Sequence, residues 1–238
     1  MAKLADTVAV VLAGGMGTRL RGVVGDRPKV LAEVGGRPFL ARLLDQLAGA
    51  GIGEAVLCTG YLADQVEQTF GDAHGALHLV YCRELSPLGT GGALRAAAPC
   101  LRSDPVLVMN GDSFCEADLP ALWDRHRATA AEATLVLTRV ADTRRYGRVA
   151  IDAGGAVVAF EEKGGPGGPG WVNAGICLLS RRVILSIPPS RPVSLEREVF
   201  PAWIGRGFYG LPCQGRFLDI GTPETYAAAE RFFAELRK

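Results

Sequence analysis

Two hydrophobic rhythms alternate along this chain. Residues 7–12 (TVAVVL) form a short β-branched run closed by glycines, which predicts a strand buried on both faces. After Pro38, the residues Phe39, Leu40, Leu43, Leu44 and Leu47 share one helical stripe that ends near Gly51. The pairing recurs: strands are predicted over 55–59, 77–82 and 105–110. Helices are predicted over 63–70, over 92–98 until Pro99, and from an Asp118 cap through His126. Strand–helix alternation with short connections implies right-handed crossovers and a mostly parallel sheet covered on both sides.

Beyond Asp118 the rhythm changes. Residues 133–140, 148–151, 157–161 and 173–179 read as strands with little helix between them, which predicts an antiparallel or mixed section and a second, smaller lobe. Residues 164–170 (GGPGGPG) offer no side chains to pack and predict a mobile loop. A last helix opens at Thr222-Pro223-Glu224, with a capping oxygen, a first-turn proline and a first-turn acid. No internal repeat is visible. The expectation is a single α/β domain with a mostly parallel sheet layered between helices and a second, smaller lobe.

With 238 residues the chain can bury a sizeable core without covalent staples. Its composition, 48% hydrophobic and 21% charged, excludes general disorder. A net charge of +1 argues against a bulk electrostatic grip on nucleic acid or an anionic membrane. Cys58, Cys82, Cys100, Cys115, Cys177 and Cys213 include no CxxC pair, so they suggest neither a disulfide framework nor a zinc site but mostly buried thiols. No apolar run approaches the ~20 residues of a membrane helix. The first apolar run is followed by Thr18-Arg19-Leu20-Arg21 rather than a small-residue cleavage site. A cytoplasmic protein is expected.

Candidate chemistry sits just after the predicted strands. Leu12-Ala13-Gly14-Gly15-Met16-Gly17-Thr18-Arg19 can turn backbone N–H groups toward an anion, and Arg19 adds a fork of donors suited to phosphate. The loop is neither a P-loop nor a full dinucleotide fingerprint, and an ordinary strand-to-helix turn has the same composition. Lys29 follows one loop later. Pro87-Leu88-Gly89-Thr90-Gly91-Gly92 reads as a second glycine loop, preceded by Glu84, at the sheet edge where open α/β folds bind ligands. Asn110-Gly111-Asp112 places an acid at a strand end, suited to Mg²⁺ or to a simple Asx turn. Asp219 stands in an equivalent setting. His74 and His78 have HxxxH spacing, but Gly75 between them argues against a metal-binding helix.

Together these segments resemble the sugar-1-phosphate nucleotidyltransferases. LAGGMGTRL with RPKVL, then PLGTGGALR, MNGDSF, RYGRV, FEEK, NAGICLLS and FLDIGTPETY stand in that family's order and cover nearly the whole chain. Within the family, RPFL, CTGY, SLEREVFPA and DIGTPE are most similar to the D-glycero-D-manno-heptose 1-phosphate guanylyltransferase group. The resemblance implies a Rossmann-like three-layer fold with a mixed, mostly parallel central sheet, a nucleotide half of about residues 1–117 and a smaller sugar half of about residues 118–238. It implies that Gly14, Gly15, Gly17 and Arg19 cradle a triphosphate with Leu12 and Thr18 beside them, that Arg19 also stabilises the departing pyrophosphate, and that Lys29 contacts the reacting phosphates. Ala13, Gly89 and Thr90 would frame the base, with Asn110 and Gly111 nearby. Asp112 and Asp219 would bind Mg²⁺. Tyr146, Gly147, Glu162, Asn173 and Gly175 would meet the sugar, and Lys163 its phosphate.

Glu84 stands where uridylyl and thymidylyl relatives often carry glutamine. A carboxylate can accept from both N1–H and N2–H₂ of guanine, which favours GTP; an outward-pointing Glu84 would leave the base to backbone groups. The expected substrates are therefore GTP and D-glycero-α-D-manno-heptose 1-phosphate. Mannose 1-phosphate with GTP, or another sugar 1-phosphate with UTP or dTTP, are the alternatives. An inactive sensor of nucleotide sugars would not need Arg19, Lys29, Asp112 and Asp219. A glycosyltransferase would usually show Asp-x-Asp where this chain has Asn110-Gly111-Asp112. No oligomeric state is legible.

Overall fold

The computed structural model describes residues 3–17, 19–161, 163–165 and 167–235. Its strands, in chain order, are β1 (Val8–Leu12), β2 (Glu33–Val34), β3 (Arg37–Pro38), β4 (Glu54–Thr59), β5 (Ala73–His74), β6 (Leu77–Arg83) and β7 (Val106–Asn110). They continue as β8 (Ser113–Cys115), β9 (Ala133–Val140), β10 (Val149–Ile151), β11 (Val157–Phe160), β12 (Gly170–Leu179), β13 (Phe208–Cys213) and β14 (Phe217–Asp219). One sheet runs β11-β10-β12-β7-β1-β4-β6-β5, with β9 also on β12 and β13 on β9. The centre is parallel: β7, β1, β4 and β6 pair in register with Val10 opposite both Val56 and Val108. The change of rhythm becomes a change of direction, because β12 is antiparallel to both β7 and β9.

Alternation along β1 feeds two cores. Ala9 and Val11 join one cluster with Leu57, Leu107 and Met109. Val8 and Val10 join the other with Val56, Val106 and Val108. The Phe39–Gly49 helix covers the first face through Leu40, Leu43, Leu44 and Leu47, all fully buried. The Gly89–Ala97 helix covers the second face through Ala93, Leu94 and Ala97. Parallel central strands are thus buried on both faces, the condition under which β-branched runs are stable as strands. Truncating Leu43 or Leu47 to alanine should cost about 2–5 kcal/mol.

Several local signals are realised as read. Asp118 Oδ1 accepts from Ala121 N–H at 2.9 Å and caps the Leu119–Ala128 helix. Thr222 caps the Pro223–Ala227 helix, and a further helix runs Ala229–Glu235. His74 and His78 lie on the β5–β6 hairpin, and His74 bonds Asp45 at 2.8 Å. Cys58, Cys115 and Cys177 are buried, while Cys82, Cys100 and Cys213 are partly so.

Other expectations need correction. The second glycine loop is already helical from Gly89, three residues before the predicted start. Gly91 and Gly92 N–H both bond Val193 O, at 2.8 and 3.2 Å, and an added Cβ on Gly92 would press on Arg191 O at 2.9 Å. The glycines there admit a neighbouring backbone. Gly170 belongs to β12 rather than to the preceding loop. Among the described residues no helix is long and apolar enough to cross a membrane.

His126 offers a test of this packing. It is buried between the Leu119–Ala128 helix and β9, with Nδ1 2.9 Å from Thr134 Oγ1. Burial pushes its imidazole down to about 4, with Arg127 adding to the effect. The unfolded ring protonates below its ordinary ~6.5 while the folded ring stays neutral, so stability falls as pH drops from that value toward the folded one. The expected loss between pH 7 and pH 5 is roughly 2 kcal/mol, read from urea midpoints, and His126→Gln should flatten that slope.

Candidate active site

The carboxyl ends of the parallel strands are laced together. Gly111 N–H donates to Leu12 O at 3.0 Å, Ala13 N–H to Cys58 O at 2.8 Å, and Glu84 N–H to Thr59 O at 2.7 Å. The segments following β7, β1, β4 and β6 therefore form one continuous edge, where ligands sit in open α/β sheets. Close approach needs glycine at set points. A Cβ on Gly111 would lie 2.6 Å from Leu12 O, and one on Gly60 would lie 2.9 Å from Gly14 O. Gly17 has φ +57°, and Lys29 Cβ lies 3.0 Å from where its own Cβ would be.

Two carboxylates meet at this edge although 107 positions separate them in sequence (219 − 112). The strands β8 and β14 pair antiparallel, with Asp219 opposite Ser113, and Ile220 N–H donates to Asp112 O at 2.9 Å. Lys29 Nζ is 2.6 Å from Asp112 Oδ2, and Arg145 Nη2 is 3.6 Å from Asp219 Oδ1. Gly221 N–H holds Asp219 Oδ1 at 2.8 Å. Burial raises Asp219 above the ordinary carboxylate range, and the charge of Asp112 adds to this; Gly221 N–H, Lys29 and Arg145 oppose it. A cation between the carboxylates would relieve that repulsion.

The donor set fits a hard divalent ion that takes its remaining oxygens from phosphates and water. Ser113 Oγ, buried beside Asp112, has no hydrogen-bond partner among the described residues. Those residues contain no group of three or more His, Cys, Asp or Glu placed to hold a metal by themselves. A cavity of about 570 Å³ lined by Gln46, Phe114, Asp118 and Phe233 lies elsewhere and contains none of the predicted site residues.

The structure sorts the other candidates. Gly175, at φ +79°, packs against Ser113 Oγ and the Asn110 side chain, and its N–H donates to Asn173 Oδ1 at 2.9 Å. Among the described residues nothing accepts a hydrogen bond from the Asn173 amide N–H₂. Tyr146 stacks edge-on against Phe217 with centroids 5.6 Å apart, beside Gly147 at φ +78°. Glu84 turns inward: its carboxylate packs against Gly14, and Oε2 accepts from Leu88 N–H at 2.9 Å. Burial raises its carboxyl, with Leu88 N–H offsetting part of the rise.

Thr90 is committed elsewhere, donating to Glu196 Oε2 at 2.9 Å and accepting from Leu195 N–H at 2.8 Å. A Cβ on Gly89 would meet Val193 O at 2.6 Å. Arg19 is exposed just beyond Gly17, Gly15 is open, and Lys163 is exposed in the connection between β11 and β12. Thr18 and Glu162 lie outside the described residues. Arg145, which faces Asp219, was absent from the sequence-based candidates. Its only signal was its place in RYGRV.

A mannose-1-phosphate guanylyltransferase from Mycobacterium tuberculosis is 44% identical over 92% of this chain and 62% of its own length. The chain thus spans about three-fifths of that relative. A D-glycero-alpha-D-manno-heptose 1-phosphate guanylyltransferase from Aneurinibacillus thermoaerophilus is 34% identical over 94% of this chain and 96% of its own length. Among solved structures, HddC from Yersinia pseudotuberculosis is 32% identical with a TM-score of 0.84, covering 95% of this chain and 99% of its own. Another structure of HddC is complexed with GMP-PN. The family profile described as nucleotidyl transferase matches residues 8–235. With glycine loop, paired carboxylates and sheet edge all inside that span, the chain belongs to the nucleotidyl transferase family.

Proposed function

We propose that this protein transfers a guanylyl group from GTP to a manno-configured sugar 1-phosphate, releasing pyrophosphate. The observation that carries this reading is the pairing of Asp112 and Asp219 beside Lys29 at the carboxyl edge of the parallel sheet. The identities to guanylyltransferases support the base and the sugar class. Mannose 1-phosphate is favoured by the 44% identity. The heptose phosphate expected from the motifs is the second reading, supported by similarity over 96% of that relative's length.

A sugar 1-phosphate has a second pKa near ~6, so at pH 7 its oxygen is already largely an anionic nucleophile. The protein needs no general base; its task is to bring two polyanions together and hold them in line. In this reading residues 1–117 hold the nucleotide and residues 118–238 the sugar. Backbone N–H groups of Gly14, Gly15 and Gly17 face the triphosphate with Thr18, and Arg19 and Lys29 bind the phosphates that bear the developing charge. Asp112 and Asp219 would hold Mg²⁺, which when bound supplies charge neutralisation at the α-phosphate. Asn173 N–H₂, Gly175, Tyr146, Gly147 and Glu162 contact the sugar, with Lys163 at its phosphate.

Glu84 reads the base with the carboxylate surface not used by Leu88 N–H. Glu84→Gln exchanges one acceptor for a donor, so the kcat/KM preference for GTP over UTP should fall about tenfold or more. An unchanged ratio would assign base choice to the backbone. The reading as a whole is tested by Mg²⁺-dependent pyrophosphate release with GTP and mannose 1-phosphate.

A further inference from the structure

Each carboxylate of the central pair has its own cation, and the two cations come from segments remote in sequence. Lys29 follows the β1 glycine loop and sits on Asp112. Arg145 precedes Tyr146-Gly147 and sits by Asp219, its guanidinium 5.4 Å from the Tyr146 ring centroid. The two neighbouring arginines have different commitments. Arg144 is forked onto Asp142 on the exposed side, with Nε 2.8 Å from Oδ2. Arg145 contacts Asp219 at 3.6 Å, a loose pair that a stronger ligand can replace.

We propose that Arg145 is a phosphate-binding residue on the sugar side of the site, exchanging Asp219 for the sugar 1-phosphate when a divalent cation takes the Asp112–Asp219 pair. The proposal rests on the functional reading above and deepens it. With Asp112 and Asp219 holding a divalent cation, Arg145 would lose its partner at Asp219, and its guanidinium is suited to fork onto a phosphate. Its position beside Tyr146, which the functional reading assigns to the sugar, directs it to the sugar substrate. Lys29 would make the corresponding exchange toward the nucleotide. This arrangement would supply a positive group from a short turn, Thr143–Arg145, anchored by Tyr146 N–H and Gly147 N–H on Thr143 O at 3.0 Å each.

Two measurements on the full chain test it. Manganese titrated into the protein without nucleotide, followed by electron paramagnetic resonance, should bind Arg145→Ala about three- to tenfold more tightly than wild type, because a competing positive charge is gone. In steady-state kinetics, Arg145→Ala should raise KM for the sugar 1-phosphate about tenfold while KM for GTP stays within about twofold, and Arg145→Lys should recover part of the loss. Weaker or unchanged manganese binding overturns the exchange at Asp219, and a rise in both KM values together assigns Arg145 a structural role. Failure of the wild type on every substrate pair would instead sink the functional reading, and is recognisable because the manganese titration needs no turnover. An Arg145→Ala variant that melts early is replaced in both assays by Arg145→Gln, for which the same outcomes decide.

Discussion

Asp112→Asn should lower kcat/KM by about two orders of magnitude or more while leaving the protein folded. The amide can still accept from Lys29 Nζ, now 2.6 Å from the carboxylate, so the buried lysine keeps a partner. What is lost is the negative charge that the proposed cation site requires. Asp112→Ala removes the partner as well. The Lys29 side chain is only 10% exposed, so the alanine variant should lose stability in addition to turnover. Asp219→Asn should resemble Asp112→Asn, since its amide oxygen can keep the Gly221 N–H bond. Thermal melting beside steady-state kinetics separates the two effects. Near-normal turnover in either asparagine variant would contradict the assignment of this pair as the metal site.

The second large effect is expected from Gly111→Ala. The added methyl would lie 2.6 Å from Leu12 O, 3.0 Å from Val30 Cγ1 and 3.3 Å from Ala13 Cα. Two of these neighbours are backbone and cannot rotate away. Relief requires the ends of β1 and β7 to separate, which breaks the 3.0 Å bond from Gly111 N–H to Leu12 O. The expected cost is about 1–3 kcal/mol, seen as a lowered urea midpoint, together with lost activity as Asp112 moves from the glycine loop. Gly15→Ala is the control, because nothing lies within 4 Å of its added Cβ. Its stability should stay within about 0.5 kcal/mol of wild type. Equal stability of the two variants would contradict the close lacing of the strand ends.

The parts of the fold that were legible are those in which one physical cause acts locally. β1, β4 and β7 are buried on both faces, so their hydrophobic runs are nearly continuous and readable. The Phe39–Gly49 helix shows its stripe because a single face is buried. β13 was not read as a strand because Gly210 and Pro212 interrupt its pattern. It is stabilised by parallel pairing with β9, seventy-five positions away at Phe208–Ala133 (208 − 133), which no local window contains. Similarly, β8 is three residues long and exists through pairing with β14. Gly89-Thr90-Gly91-Gly92 has the composition of a loop, and its helical state depends on the backbone around Val193.

The site divides in the same way. Glycines and acids at strand ends were visible because their positions follow from the strands before them. Asp112 and Asp219 were legible as acids in equivalent strand-end settings, and the β8–β14 pairing is the physical basis of their convergence. Arg145 was hidden because its partner is remote in sequence and its neighbour Arg144 has the same chemistry. The inward turn of Glu84 was also undecidable locally, since the space it occupies is provided by the absent side chain of Gly14.

The most direct test is Mg²⁺-dependent pyrophosphate release by the wild-type protein, with GTP, UTP, dTTP, CTP and ATP each set against mannose 1-phosphate, D-glycero-α-D-manno-heptose 1-phosphate and glucose 1-phosphate. Release that is greatest with GTP and a manno-configured sugar phosphate, and that is lost with Asp112→Asn, is the predicted result. Folded protein that releases no pyrophosphate from any pair would contradict the proposed reaction.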